Sequence, residues 1–405
     1  MKLPVASRLL DRMRLWQKFV LLGVFALSAV LFPFFQYTHQ AEGDVAFARD
    51  EQAGIAPASA ATRLMQLTQQ HRALAVSYLG GVVTLDVVRA KQAEVGTAMA
   101  EVDRVVATET FSRMKDDWTE SRRQWSQITT ALSEKGADVR SVVDAHNALV
   151  ARLLYAVEQI ADLSKLSLDP NAHTYYLIQA LTVHLPRVTE DLGQARALGL
   201  ARLTDFARQR VAGGDPRISD ADRARVNGVL QALASHVDDS YRFLDKAMRE
   251  EPRLKSVLEP QLASPREASR QLAQLARKQL LDAPAPDMDS QAFYQAFTAG
   301  IDTQFKLLAD LGRMLDSELE LTISQKRREE VKISVEILGA LLIATLVGAL
   351  TVLNIRSTVR SLQESVEKIR TGDEAALQHI EARDEVGDLG RTVNDLLTER
   401  RDAQR

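Results

Sequence analysis

The sequence predicts an all-α fold: a long helical bundle, or two stacked ones, between two membrane-crossing helices, with a short two-helix segment after the second span. Three observations lead there. Between the spans, apolar residues recur at intervals of three and four, with no strand-like alternation and no hairpin signal. Breaking residues are sparse, with 19 Gly and 11 Pro in 405 residues. Two uncharged apolar runs, Phe19–Phe35 and Ile337–Ile355, are each long enough to cross a hydrocarbon core of about 30 Å.

Composition narrows the function classes. A net charge of −3 with 26% charged residues carries no basic footprint for nucleic acid. The chain has no cysteine, which removes disulfides, thiolate metal sites and cysteine nucleophiles. Its seven histidines show no metal-ligand spacing, so neither a metal nor another cofactor is expected.

Residues 1–15 are basic, with Lys2, Arg8, Arg12 and Arg14, and are expected in the cytoplasm. The first span covers 16–37, with Trp16 and Tyr37 at the levels where interfacial aromatics belong. A cleaved signal peptide is the rival reading. However, the small-x-small pattern Ala46-Phe47-Ala48 lies too far beyond the apolar run, with Glu42 and Asp44 between.

Residues 38–332 follow on the outer side, the periplasm of a Gram-negative cell. Breaks are expected at Pro57, Gly80-Gly81, Gly136, Asp169-Pro170, Gly213-Gly214-Asp215-Pro216, Glu251-Pro252, Pro260, Pro265, Pro284 and Pro286. Leu64, Leu67, His71, Leu74 and Tyr78 form one helical seam; Ile301, Phe305, Leu308, Leu315 and Leu319 form another, with Gly312 as its thin spot. Asp169 is expected to cap a helix that takes Pro170 in its first turn, and Pro186 to kink that helix. Beyond Pro286 no proline occurs, so one helix starting near Ser290 is expected to continue for about 80 residues, ~120 Å.

The second span covers 333–355. Ala340, Ala344 and Gly348 leave it one bare face. Arg356, Arg360, Lys368 and Arg370 place its far end in the cytoplasm. From the end of the span, Ile355, Val359, Leu362, Val366 and Ile369 form a coiled-coil seam leading into 356–405, where Gly372-Asp373 breaks it and Leu377 and Ile380 anchor a connector. Asp384-Glu385-Val386-Gly387 then opens a second helix with the seam Val386, Leu389, Val393 and Leu396. This order, with Asn394, resembles the HAMP domain, the signal relay of bacterial transmembrane receptors; Thr358 stands where that family usually carries proline. The resemblance implies a parallel four-helix bundle built from two copies, hence a homodimer.

Two outer stretches carry a second resemblance: Gln69-Gln70-His71-Arg72-Ala73-Leu74-Ala75, and Asp162 through Leu168-Asp169-Pro170 to Tyr175-Tyr176, Leu185-Pro186 and Arg196-Ala197-Leu198-Gly199. Together they resemble the helical sensor regions of methyl-accepting chemotaxis proteins and, more faintly, nitrate- and nitrite-sensing helical domains. Ala73 and Asn171 depart from the residues usual there. The same sensor type also fronts histidine kinases and diguanylate cyclases.

Arg72 and Arg196 each open an Arg-Ala-Leu triplet, and on neighbouring helices their forked donors would converge on a small anion such as nitrate. The competing reading is that both reach solvent or pair with an acid. His71 is expected as a hydrogen-bonded core histidine, and Tyr175 and Tyr176 as packing residues. Glu336 is expected to be solvated near the membrane surface, His379 is expected to be solvated, and Gly213-Gly214-Asp215 to be a helix–helix loop. No catalytic constellation appears within the 405 residues, so no enzyme activity is expected of them. The expectation is a two-pass inner-membrane chemoreceptor acting through a cytoplasmic output domain or partner. The input half of a histidine kinase or diguanylate cyclase, and a stand-alone HAMP adaptor, are the alternatives.

Overall fold

The computed structural model describes residues 13–134, 137–213, 218–283, 286, 288–370 and 385–402. The fold is all-α, with no strand among the described residues. The chain divides into two compact units, Met1–Gly43 with Lys326–Arg405, and Asp44–Gln325.

Helix α1 is Leu15–Leu79 and α2 Leu85–Val106; a 3-10 turn at Ser112–Met114 leads into α3, Lys115–Ser133. Helix α4 is Val139–Leu163, followed by a 3-10 turn at Leu166–Leu168 and α5, Ala172–Gln179. A π turn at Ala180–His184 joins α5 to α6, Leu185–Val211. Helices α7, Asp220–Glu250, and α8, Arg253–Arg277, lead through a second π turn to α9, Ser290–Arg370, and α10 is Glu385–Asp402.

The unit Asp44–Gln325 is built on the predicted stripes. In α3 the buried residues are Trp118, Ser121, Trp125, Ile128 and Leu132, stepping by three and four. In α4 they run from Val142 through His146, Leu149 and Leu153 to Ile160. Helix α3 packs on α4, α4 on α6, α5 and α6 on α7, and α7 on α8, around one main core with two small clusters beside it, Val45/Ala48/Ile323 and Val76/Val143/Leu200. Asp138 caps α4 by accepting from the Ser141 N–H at 2.9 Å, and Ser219 caps α7 through the Asp222 N–H at 3.1 Å. Gly80-Gly81 ends α1 as expected, with Gly81 at φ 72, a conformation glycine adopts without a Cβ penalty. The seam residues Leu64, Leu67, His71, Ile301, Phe305, Leu308, Leu315 and Leu319 are buried, and Leu74 and Tyr78 are half-buried.

Several breaks fall differently. Pro57 lies inside α1, and Pro260 and Pro265 lie inside α8, so none of them ends a helix. At Pro265 the surrounding side chains support the backbone. The Tyr241 hydroxyl donates to the Leu262 carbonyl at 3.3 Å, and Gln304 Nε2 donates to the Pro265 carbonyl at 2.6 Å. Asp169 does not cap α5. It accepts from the Asn171 N–H at 2.7 Å in an Asx turn, which keeps Pro170 outside the helix that starts at Ala172. Pro186 produces the expected irregularity as a π turn, in which the Leu185 N–H reaches back five residues to Ala180. The predicted long helix is present as α9, 81 residues from Ser290 to Arg370.

In the other unit, the segments of α1 and α9 there include stretches long and apolar enough to cross a membrane. Phe25, Phe32 and Phe35 are exposed in the first, and Leu342, Ile343 and Leu350 in the second. Arg356 lies 5.9 Å from the Trp16 ring. Lys332 and the exposed Glu336 form an i,i+4 pair at 4.0 Å. Val359 and Leu362 are half-buried, whereas Val366, Leu389 and Leu396 are exposed, so this part of the seam is open in the single chain. Gly372, Leu377, His379, Ile380 and Asp384 lie outside the described residues, as do the side chains of Ile369, Glu385, Val393 and Asn394.

Candidate functional site

Four helices of the unit Asp44–Gln325 meet at a cluster of buried polar side chains. Helix α1 contributes Gln69, His71 and Arg72, α4 His146 and Asn147, α6 Glu190, Gly193 and Arg196, and α9 Tyr294 and Thr298. Arg72 is 0% exposed and Arg196 1%, so neither reaches solvent. Each sits on its helix's apolar stripe, and the folding of that stripe carries the guanidinium inward.

Arg72 is paired. Its Nη1 and Nη2 donate to Glu190 Oε1 at 2.7 Å and Oε2 at 3.1 Å, a forked ion pair, and Nη1 also donates to Asn147 Oδ1. Glu190 accepts two further bonds, from Gln69 Nε2 at 3.0 Å and Gln194 Nε2 at 2.8 Å. Gly193 makes room for this arrangement, because a Cβ there would stand 2.6 Å from Arg72 Nη2.

Arg196 is solvated by neutral groups. Its Nη1 donates to Thr298 Oγ1 and its Nη2 to the Gln69 carbonyl, both at 3.0 Å, and the guanidinium lies 5.6 Å from the Tyr294 ring. Burial pulls it down to about 10, where it still carries its charge at neutral pH. The Nε atoms of Arg72 and Arg196 are both buried without a hydrogen-bond partner. The cluster therefore holds two guanidiniums against one carboxylate; besides the two Nε donors, the acceptors Gln69 Oε1 and His71 Nε2 are buried without a partner.

The expected histidine role is met, with a partner the sequence did not offer. His71 Nδ1 lies 2.8 Å from His146 Nε2, and His146 Nδ1 lies 2.7 Å from the Val142 carbonyl. The backbone acceptor fixes His146 Nδ1 as a donor, so His146 Nε2 accepts from His71 Nδ1–H. Burial, reinforced by the Lys91 charge, lowers His71 to about 4. Burial, and next the neighbouring His71, holds His146 well below the usual imidazole range. Both rings are neutral at pH 7 and add nothing to the cluster's charge. The Trp125 ring stands edge-on to His71 at 4.7 Å.

Tyr176 packs edge-on against Phe243 at 5.8 Å and Tyr175 against Tyr176 at 5.6 Å, as expected of packing residues. Asp191, next to Glu190, is turned onto His236 Nδ1 at 2.6 Å. No cluster of metal-ligating side chains occurs among the described residues. An open cleft of about 450 Å³ lies at Gly312, the predicted thin spot, lined by Gln52, Ser59, Arg63, Gln66 and Asp316; no member of the arginine cluster lines it.

The sequence singled out Arg72 and Arg196 but not Glu190, Asn147, Gln194 or Thr298. His146 left a signal, a polar residue on the stripe Val142, Leu149, Leu153. Glu190 left one too, two turns before Arg196 on the same helix, but its partner sits on α1.

No family model matches the chain, and no curated protein matches it. Among solved structures, the NasR transcription antiterminator is similar, with a TM-score of 0.51 over 91% of this chain and 95% of that one, at 14% identity. At that identity the likeness is one of fold: the all-α arrangement described above is shared with a solved protein over nearly its whole length.

Proposed function

We propose that this chain is a two-pass inner-membrane sensor of the chemoreceptor type, in which residues 38–332 bind a small periplasmic anion and a HAMP-like segment relays the signal. The observation that carries the reading is the buried, net-positive arginine cluster, in which the Nε–H donors of Arg72 and Arg196 both lack partners. A buried charge without a counter-ion is costly, and an anion arriving at Arg196 removes that cost. Nitrate is the anion favoured by the resemblance of the two outer stretches to nitrate- and nitrite-sensing domains.

Other observations support the remaining parts. The two apolar stretches are long enough to span a bilayer, which supports the two-pass topology. The exposed Val366, Leu389 and Leu396 support a homodimer, since a second copy would cover them. Relay to a cytoplasmic output domain or partner would follow from a change in that seam.

The test is thermal unfolding of the full chain in nanodiscs, with nitrate, formate and chloride at matched ionic strength. Binding at 100 times the dissociation constant is expected to add about 2.7 kcal/mol of stability. The Arg196→Gln variant is expected to lose that gain. No stabilisation by any small anion would contradict the reading.

A further inference from the structure

The charges of the cluster can be counted. Arg72 is matched by Glu190 in a forked pair whose other oxygen contacts, Gln69 and Gln194, are neutral amides. Arg196 donates only to a hydroxyl and a backbone carbonyl. Asp302, which also acts on Arg196, is exposed and screened by water. Asp191 is occupied with His236. Two buried guanidiniums and one buried carboxylate leave a single positive charge, so one negative charge completes the site and two overshoot it.

We propose that Glu190 is the charge selector of this site, restricting it to monoanions by holding one of its two arginines neutralised. The inference rests on the anion reading above. In a buried setting each unmatched charge is costly, so a dianion entering the wild-type cluster exchanges one excess positive charge for one excess negative charge. Replacing Glu190 by its neutral isostere raises the excess to two positive charges and makes a dianion the better match. The side chain is well placed for this role: it is 5% exposed, and all four of its hydrogen bonds come from within the cluster. Gly193, one turn later, lets Arg72 close on it.

The experiment compares sodium nitrate with sodium sulfate at matched ionic strength, titrated into the full chain in nanodiscs with thermal unfolding as readout. Wild type is expected to respond to nitrate and little to sulfate. In Glu190→Gln the sulfate-to-nitrate affinity ratio is expected to rise by more than about tenfold, while Glu190→Asp keeps the wild-type order. The double variant Arg72→Gln/Glu190→Gln removes both members of the ion pair and restores the single positive charge, that of Arg196, without leaving Arg72 or Glu190 unmatched. It is expected to return to nitrate preference at lower affinity. A purely structural Glu190 would weaken both anions alike, and an unchanged ratio in Glu190→Gln overturns the proposal. So does sulfate preference in the double variant. If wild type binds neither anion, the anion reading itself fails and the selector falls with it.

Discussion

The apolar spans and the arginine cluster handle solvation in opposite ways. In the apolar stretches, Phe25, Phe32, Leu342 and Ile343 are exposed, which suits hydrocarbon and not water. In the cluster, Arg72, Glu190 and Arg196 are withdrawn from water and depend on one another and on Gln69, Asn147 and Thr298. One region presents apolar surface outward, the other pairs its polar groups internally. Helices α1 and α9 each contribute to both, so the chain places the two solutions on the same covalent elements.

Breaking the pair is expected to have the largest effect. Arg72→Met leaves Glu190 buried without its cation and should cost roughly 3–5 kcal/mol, whereas Arg72→Met/Glu190→Met should recover most of that loss; denaturant unfolding of the full chain measures both. Acid comes next. His71 titrates near 6.5 when unfolded but about 4 when folded, so the unfolded state takes up protons first as pH falls. Its contribution is fully present above pH 6.5 and is lost toward pH 4. The loss is about 3 kcal/mol, and His146 acts in the same direction. Asp191, raised by burial, works the opposite way, and His71→Asn should flatten the acid limb of a stability–pH curve.

The spans should respond to a different change. Leu346→Arg puts a charge at the middle of the second apolar run and should raise the insertion cost by roughly 2.5 kcal/mol or more, read as loss of chain from the membrane fraction. The same helix also carries Arg313, paired with Asp310 at the surface. Arg313→Ala should change stability by less than about 1 kcal/mol, because exposed ion pairs contribute little. Together these changes separate the apolar stretches from the internally paired region.

How legible each region was follows from the same physics. Hydropathy is local, so the spans and the 81-residue α9 could be read along the chain. Periodicity placed His71 on a seam, and the repeated Arg-Ala-Leu triplet singled out Arg72 beside it. Their partners were not legible, since Glu190 and His146 lie on α6 and α4, far away in sequence. Proline misled at Pro57, Pro260 and Pro265, which lie inside helices; at Pro265 side-chain hydrogen bonds from Tyr241 and Gln304 offset a local penalty of about 3 kcal/mol. Asp169 misled because an Asx turn and an N-cap call for the same residue type.

The absence of native cysteine makes one measurement especially direct. A single Val366→Cys substitution places a thiol at an exposed seam position, and the rate of disulfide cross-linking between copies can be followed in nanodiscs with and without nitrate. The account predicts cross-linked dimers whose rate of formation changes on adding nitrate, and no such change when Arg196→Gln is present in the same chain. Cross-linking that is absent, or that ignores nitrate while nitrate demonstrably stabilises the protein, would contradict the claim that an anion held by these arginines is signalled to the cytoplasmic helices.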